Sequence, residues 1–153
     1  MFNSTRTRRY PYGKILILRL LRLKIRIAMA QLLRATNLTR ATVLCARLED
    51  AGGMAGRGRG LLGRDHLEPD QGMLFVAGRL SPFMWMHMFF MRFAIDIVFL
   101  DGADTVIRID HQLKPWRISS LVFGARKALE LAAGAAERSR TQEGDRVQFE
   151  SAK

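Results

Sequence analysis

The chain has 153 residues, of which 48% are hydrophobic and 25% charged, and its formal net charge is +11. This length and composition predict one globular domain and exclude collagen-like and wholly disordered chains. The single cysteine, Cys45, excludes an intramolecular disulfide framework and a multi-cysteine zinc site.

Positive charge is concentrated near the N-terminus. Eleven of the 25 Lys and Arg residues precede Glu49, the first of the 14 acidic residues, so the remaining 14 basic and 14 acidic residues cancel. We therefore predict a basic N-terminal extension over residues 1–34 and a domain over residues 35–153. Met29 is an alternative start, which would make residues 1–28 an over-extended translation.

The extension has three interpretations: a dispensable segment, an arm for a membrane surface or acidic partner, or an arm that binds nucleic acid. As a helix it would place Arg19, Arg22 and Arg26 on one face, although residues 22–27 also alternate as a strand does. Its longest uninterrupted apolar run, residues 15–18, is too short for a signal peptide or a transmembrane helix. We therefore expect a cytoplasmic protein that does not cross a membrane.

From residue 35 onward, short strands and turns dominate the pattern. Strand-favouring residues occupy 42–48, 72–76, 105–109 and 128–131, and residues 146–150 alternate as a closing strand. The apolar stretch 83–100 is long enough to suggest a membrane span. However, Arg92 and Asp96 would each cost ~2.5–3.5 kcal/mol near a bilayer centre, so two buried strands are predicted there, followed by a hairpin turn at Asp101.

Two short helices are also predicted. One covers residues 132–138, with Gly134 as a weak point. The other follows the glycine-rich loop 52–59 and packs Leu61 and Leu62 on the sheet.

Six separated blocks of this chain carry a resemblance to a known family. They are GLLGRDHL (60–67), GMLF (72–75), HMFFMRFAIDIVFLD (87–101), KPWR (114–117), ARKALELAAGAAER (125–138) and GDRVQFE (144–150). Together they resemble the domain of unknown function 192 family, a prokaryotic group of small α+β domains without an assigned activity. The resemblance and the predicted elements give a single α+β domain with a mixed, largely antiparallel sheet that curls toward a barrel and two short helices.

A formal GxGxxG motif runs from Gly58 through Gly60 to Gly63. A dinucleotide-binding fingerprint needs a strand directly before it and an acidic residue at the end of the next strand, and both are missing here. A glycine-rich loop that leads into a short helix is the favoured interpretation, and we expect no nucleotide cofactor.

The sequence also contains candidate metal ligands, but their pattern only weakly indicates a metal site. Met84, Met86 and Met88 would share one face of a strand, and soft sulfur ligands suit copper(I). Their aromatic neighbours favour a packed core instead, where methionine fills irregular gaps. The three histidines lie on separate segments without ligand spacing, so we expect no metal site.

Four polar residues lie within the resembling blocks: His87, Arg92, Asp96 and Arg117. In the structural interpretation, Asp96 is buried and meets Arg92, Arg117 or backbone donors. In the functional interpretation, the four form the polar floor of an apolar pocket, where guanidinium groups hold a carboxylate or phosphate and His87 orients it.

No activated nucleophile stands out in the sequence, so a non-catalytic ligand-binding or accessory module is predicted. Its partner would be a small anionic ligand or another protein. An enzyme that uses His87 and Asp96 is the alternative. A second alternative is binding to nucleic acid or an anionic membrane through the N-terminal extension.

Overall fold

The computed structural model describes residues 32–52 and 60–152, which belong to the compact unit Gln31–Lys153. Most of the predicted extension, and the loop that carries Gly58, lie outside the described residues. The strands are β1 (Leu32–Asn37), β2 (Thr42–Asp50), β3 (Gln71–Val76), β4 (Phe83–Met84), β5 (Ile95–Leu100), β6 (Val106–Leu113), β7 (Val122–Phe123), β8 (Lys127–Ala132) and β9 (Val147–Ser151). One helix, α1 (Ala135–Arg138), occurs among the described residues.

Seven strands form one sheet in the order β6-β5-β8-β3-β2-β1-β9, and β4 pairs with β7 in a two-stranded sheet. The β2–β3 pair is parallel and the other pairs are antiparallel. The two edges of the larger sheet, β6 and β9, approach each other at one end. Thr105 and Arg146 form an antiparallel bridge there, and the Val106 N–H donates to the Asp145 carbonyl at 2.8 Å. The sheet therefore curls into a half-barrel.

A buried cluster covers each face of the curled sheet, because side chains alternate between faces along a strand. On one face, Leu129 and Leu131 of β8 pack with Val98 and with Ala135 of α1. On the other face, Ala128 packs with a cluster that includes Ile97. The interior strand β5, which lies between β6 and β8, is buried along its whole length, because apolar layers cover both of its faces.

The cover of the second face consists of two paired segments, residues 83–91 and 116–123, which we call the second layer. Besides the β4–β7 pair, His87 forms a bridge with Ile118, and the Met88 N–H donates to the Arg117 carbonyl at 2.8 Å. The Trp116 N–H donates to the Met88 carbonyl at the same distance. These bonds hold two otherwise irregular segments together above the sheet.

The predicted α+β class with two short helices is wrong, because the described residues are nearly all sheet and α1 has only four residues. The helix predicted after the glycine-rich loop is a turn over residues 60–63, where Gly60 and Gly63 have φ of 45° and 82°. That left-handed conformation does not continue a right-handed helix. The helix predicted over 132–138 begins late for the same reason, since Gly134 has φ 79°.

Candidate functional site

A pocket of about 340 Å³ opens between the second layer and the sheet. Its volume falls at the lower end of the range for small-molecule sites. The sheet contributes Phe75 of β3 and Glu130 of β8, and the turn at 60–63 contributes Leu61 and Leu62. The second layer contributes the segment 84–87 and Met91. The lining is therefore apolar, aromatic and sulfur-containing, with a single described carboxylate.

Glu130 is the chemically unusual residue of this pocket. It is only 7% exposed, and in the β8 register it lies between Met73 and Ile97 of the flanking strands. No hydrogen-bond or ion-pair partner of its carboxylate occurs among the described residues. Among the described residues, every fully enclosed side-chain oxygen has a hydrogen-bond partner. The carboxylate oxygens of Glu130 have none within the described ranges, so they are not fully enclosed and are open to the pocket. Burial raises the pKa of Glu130 from 4.5 to about 7, because an apolar surrounding disfavours the charged form.

Beside the pocket, the second layer and the turn before it expose an unusual amount of apolar surface. We call it the aromatic surface; its members are Leu80, Phe83, Trp85, Phe89, Phe90, Trp116, Ile118, Leu121 and Phe123. Neighbouring rings touch in succession from Trp85 through His87, Phe89 and Trp116 to Phe90. Continuous apolar patches of this kind mark interaction sites in folded proteins.

Two rings of the aromatic surface stand on strained backbone. Phe90 and Trp116 have φ of 61° and 65°, a region that bulky side chains rarely adopt. They nevertheless lie 71% and 61% exposed, with ring centroids 4.9 Å apart in an edge-to-face arrangement. Strain of this kind persists where the surrounding structure imposes it, and it is concentrated at functional positions.

The four residues predicted from the sequence as ligand-binding candidates are not gathered into one cluster. Asp96 is fully buried, and its two carboxylate oxygens accept hydrogen bonds from the backbone N–H groups of Gln112 at 2.9 Å and Ala136 at 3.0 Å. Arg92 is exposed and pairs with Asp65. Backbone donors, one of the partners predicted for Asp96, are therefore its partners here.

The other two candidates lie close together on the second layer. His87 lines the pocket and stacks on Phe89, with ring centroids 5.2 Å apart. Arg117 follows Trp116 on the paired segment, where its side chain is exposed. The structure thus brings His87 and Arg117 to neighbouring positions of the second layer, whereas backbone N–H groups hold Asp96 in the sheet.

Met84 and Met86 line the pocket, whereas Met88 is fully buried in the cluster on the second face of the sheet. Met84 and Met86 therefore contribute apolar surface to the pocket, and Met88 fills the core. No group of three or more His, Cys, Asp or Glu residues in the described ranges is arranged to hold a metal ion.

Cys45 lies in β2 and is 1% exposed. Its thiol donates to the Asp70 carbonyl at 3.3 Å, and burial raises its pKa to about 11. Burial therefore favours the protonated thiol over the thiolate, which is the nucleophilic form.

Glu130 is not among the residues predicted from the sequence. The signal that could have found it is a lone acidic residue between Leu129 and Leu131 in a strand that also contains Ala128 and Ala132. A single acidic residue in an otherwise apolar strand is consistent with an exposed edge strand or with a buried functional group. The order of the strands decides between the two, because it places β8 inside the sheet, between β5 and β3.

The fold and site define a small β-sheet domain with an apolar pocket beside an exposed aromatic surface. Residues 35–149 match the sequence model of the DUF192 family, described as "Uncharacterized ACR, COG1430". The chain belongs to this family, which confirms the resemblance of its six sequence blocks. No activity is assigned to the family by that description.

Two solved structures share the fold. One is a protein of unknown function from Novosphingobium aromaticivorans, with 24% identity and a TM-score of 0.64 over 76% of this chain and 83% of that chain. The other is a candidate transcription regulator from Sinorhizobium meliloti, with 25% identity and a TM-score of 0.65 over 76% and 91%. A search among curated proteins gave no match. Within the described ranges, no helix has the length and apolar character that crossing a membrane requires.

Proposed function

We propose that this chain is a binding module for a small, largely apolar molecule that carries one positively charged amino group. The observation that carries the proposal is the carboxylate of Glu130, which is 7% exposed at an apolar pocket and has no partner among the described residues. A buried carboxylate without a partner costs free energy, and a cation that pairs with it removes that cost.

The rest of the lining suits the same ligand. Trp85 and Phe75 belong to the lining, and the electron-rich faces of such rings attract cations. The neighbouring Met84 and Met86 supply polarisable thioethers that adapt to an apolar body. A volume of about 340 Å³ accommodates a single ring with a short side chain.

The charge of the pocket favours a cation over the anionic ligand predicted from the sequence. Glu130 is the only charged residue in the described lining, and no Lys or Arg occurs there. An anion in this pocket would therefore meet a like charge, whereas Arg117 is exposed and lies outside the lining.

Three probes of matched shape test the proposal on the full chain: benzylamine, benzyl alcohol and phenylacetate. At pH 8, above the raised pKa of Glu130, benzylamine should raise the Tm and phenylacetate should not. At ten times Kd, linkage gives about 1.4 kcal/mol, or roughly 5 °C for a domain of this size. At pH 5.5, where Glu130 holds its proton, the preference for benzylamine should shrink.

Glu130→Gln should abolish the preference for the amine and leave a small, equal response to the three probes. Glu137→Gln, on the exposed surface of α1, is the matched control and should respond as the parent does. Equal responses of the parent to all three probes, or an unchanged preference in Glu130→Gln, would disprove the proposal.

The cytoplasm is the location we propose, on the support of one buried cysteine without a disulfide partner in the chain. Fractionation of cells that express a tagged full chain tests it, and export of the chain would contradict it.

A further inference from the structure

The aromatic surface is accompanied by an excess of positive charge. The two stretches that carry it, residues 77–95 and 114–127, contain six basic and no acidic residues: Arg79, Arg92, Lys114, Arg117, Arg126 and Lys127. Three of the six are engaged, because Arg92 pairs with Asp65, Lys127 pairs with Asp104, and Arg126 donates to the Ser81 carbonyl.

The remaining three, Arg79, Lys114 and Arg117, are exposed. Their side chains have no ion-pair or hydrogen-bond partner in the part of the chain that the structure describes. Positive charge beside an apolar surface is complementary to a partner that carries negative charge at its surface and apolar groups below it.

We propose that the aromatic surface docks on an anionic lipid bilayer. Three of its four most exposed side chains stand on turns: Leu80 is 95% exposed, Phe90 71% and Trp116 61%. The fourth, Phe123 at 69%, lies in β7. Turn tips of this kind enter the headgroup region, where tryptophan is enriched and where Arg and Lys side chains reach phosphate groups. Each basic residue near an anionic membrane contributes about 1 kcal/mol, which is roughly a fivefold gain in partition coefficient.

The same charges argue against a second copy of this chain as the occupant. In a two-fold dimer, a surface meets itself, so Arg79, Lys114 and Arg117 would approach the same residues of the partner. Like charges at an interface oppose association, whereas an anionic bilayer complements them.

The tryptophans make the test direct, because the chain has only two, Trp85 and Trp116, and both belong to the aromatic surface. The full chain is mixed with vesicles of phosphatidylcholine alone or with added phosphatidylglycerol, with and without brominated acyl chains. We expect sedimentation with the anionic vesicles only, a blue shift of the emission, and quenching by the brominated lipid. Binding through the basic N-terminal residues alone would sediment the chain without quenching.

Leu80→Ser should lower the partition coefficient about tenfold or more, since it removes a large apolar side chain from the contact. Arg79→Gln with Arg117→Gln should lower it about 25-fold by loss of two charges. Leu38→Ser is the matched control, because Leu38 is 50% exposed but lies outside the aromatic surface, and it should bind as the parent does.

Three results would overturn the inference: equal binding to neutral vesicles, sedimentation without quenching of tryptophan, or Leu80→Ser that binds like the parent. A dimer in vesicle-free solution that Leu80→Ser dissociates would also overturn it and assign the surface to a second copy. None of these outcomes bears on the amine response of Glu130, so the two proposals fail separately.

Discussion

Asp96 and Glu130 lie on adjacent strands, β5 and β8, and face opposite sides of the sheet. In the register, Asp96 pairs with Leu131 and Ile97 pairs with Glu130, so the two carboxylates project to different faces. Both residues are less than a tenth exposed, yet two backbone N–H groups bind Asp96 and no described group binds Glu130. One acid thus stabilises the fold, whereas the other is available for a ligand.

Asp96→Ala should destabilise the domain by about 3 kcal/mol. The substitution leaves the buried N–H of Ala136 and the partly buried N–H of Gln112 without their acceptor, and an unsatisfied buried group costs ~1–3 kcal/mol. Urea denaturation of the parent and the variant measures the difference. A loss below about 1 kcal/mol would show that water or a backbone shift replaces the carboxylate.

Glu130 should make the domain less stable as the pH rises through 7. Its pKa is about 7 in the folded state and 4.5 as the ordinary value, so the folded state keeps a proton that the unfolded state releases. The contribution of Glu130 is therefore most favourable below pH 4.5 and is lost as the pH passes 7, a difference of about 3 kcal/mol. Urea denaturation at pH 5 and pH 8 should show this loss in the parent.

The variant Glu130→Gln should lack that part of the pH dependence and be more stable than the parent at pH 8. Glu137→Gln is the control, because Glu137 is exposed. An identical pH dependence in Glu130→Gln and the parent would contradict the pKa assignment.

The local sequence pattern indicates where the strands lie, but not which segments pair to form the second layer above the sheet. Residues 42–48, 72–76 and 128–131 show local strand patterns, and β2, β3 and β8 contain them. The segment 83–93 fails as a continuous strand because its hydrogen bonds go to residues 116–123, and no local pattern specifies such a pairing. The pocket depends on that pairing, so Glu130 could be recognised as a strand residue but not as part of a site.

Asp145 should be essential for closing the sheet. It lies 3% exposed, accepts a hydrogen bond from the buried Asn37 amide at 2.9 Å, and forms an ion pair with Arg40 at 3.1 Å. Asp145→Ala should cost about 3–5 kcal/mol because it strands buried polar groups. Arg40→Ala should cost about 1 kcal/mol, since Arg40 is 39% exposed.

The stability that Asp145 contributes depends on pH in the opposite sense to that of Glu130. Burial raises the pKa of Asp145, but hydrogen bonds from Asn37, the Gln142 N–H and Arg40 outweigh it, so its pKa lies below the ordinary 3.8. Its stabilising effect is present above that value and is lost as the pH falls below it. Unfolding curves between pH 5 and pH 2 should converge for the parent and Asp145→Asn, and a constant gap would contradict the shift.

Gly72→Ala should destabilise the domain by about 1–3 kcal/mol through overpacking. A Cβ at Gly72 would lie 2.7 Å from Cδ2 of Leu131 and 2.9 Å from the backbone oxygen of Glu130. Gly78→Ala is the control, because nothing lies within 4 Å of a Cβ there. Thermal denaturation compares the two, and equal effects would show that the central strands separate without cost.

Phe90→Gly should be more stable than Phe90→Ala by about 1 kcal/mol. Both variants remove the ring that contacts Trp116, but only glycine adopts φ near 61° without strain. Urea denaturation of the pair isolates the backbone contribution from the lost ring contact. Equal stabilities would mean that the turn relaxes once the ring is gone.

The contact between β1 and β9 also governs how the chain can fold. These are the first and last described strands, and the bridge of Thr105 with Arg146 likewise joins segments far apart in the sequence. Loop closure over such separations must precede the gain from these pairings. We therefore expect the β5–β6 hairpin to form early and the curling of the sheet to come late. During synthesis, β1 leaves the ribosome long before β9, so its outer edge stays unpaired until β9 has been made.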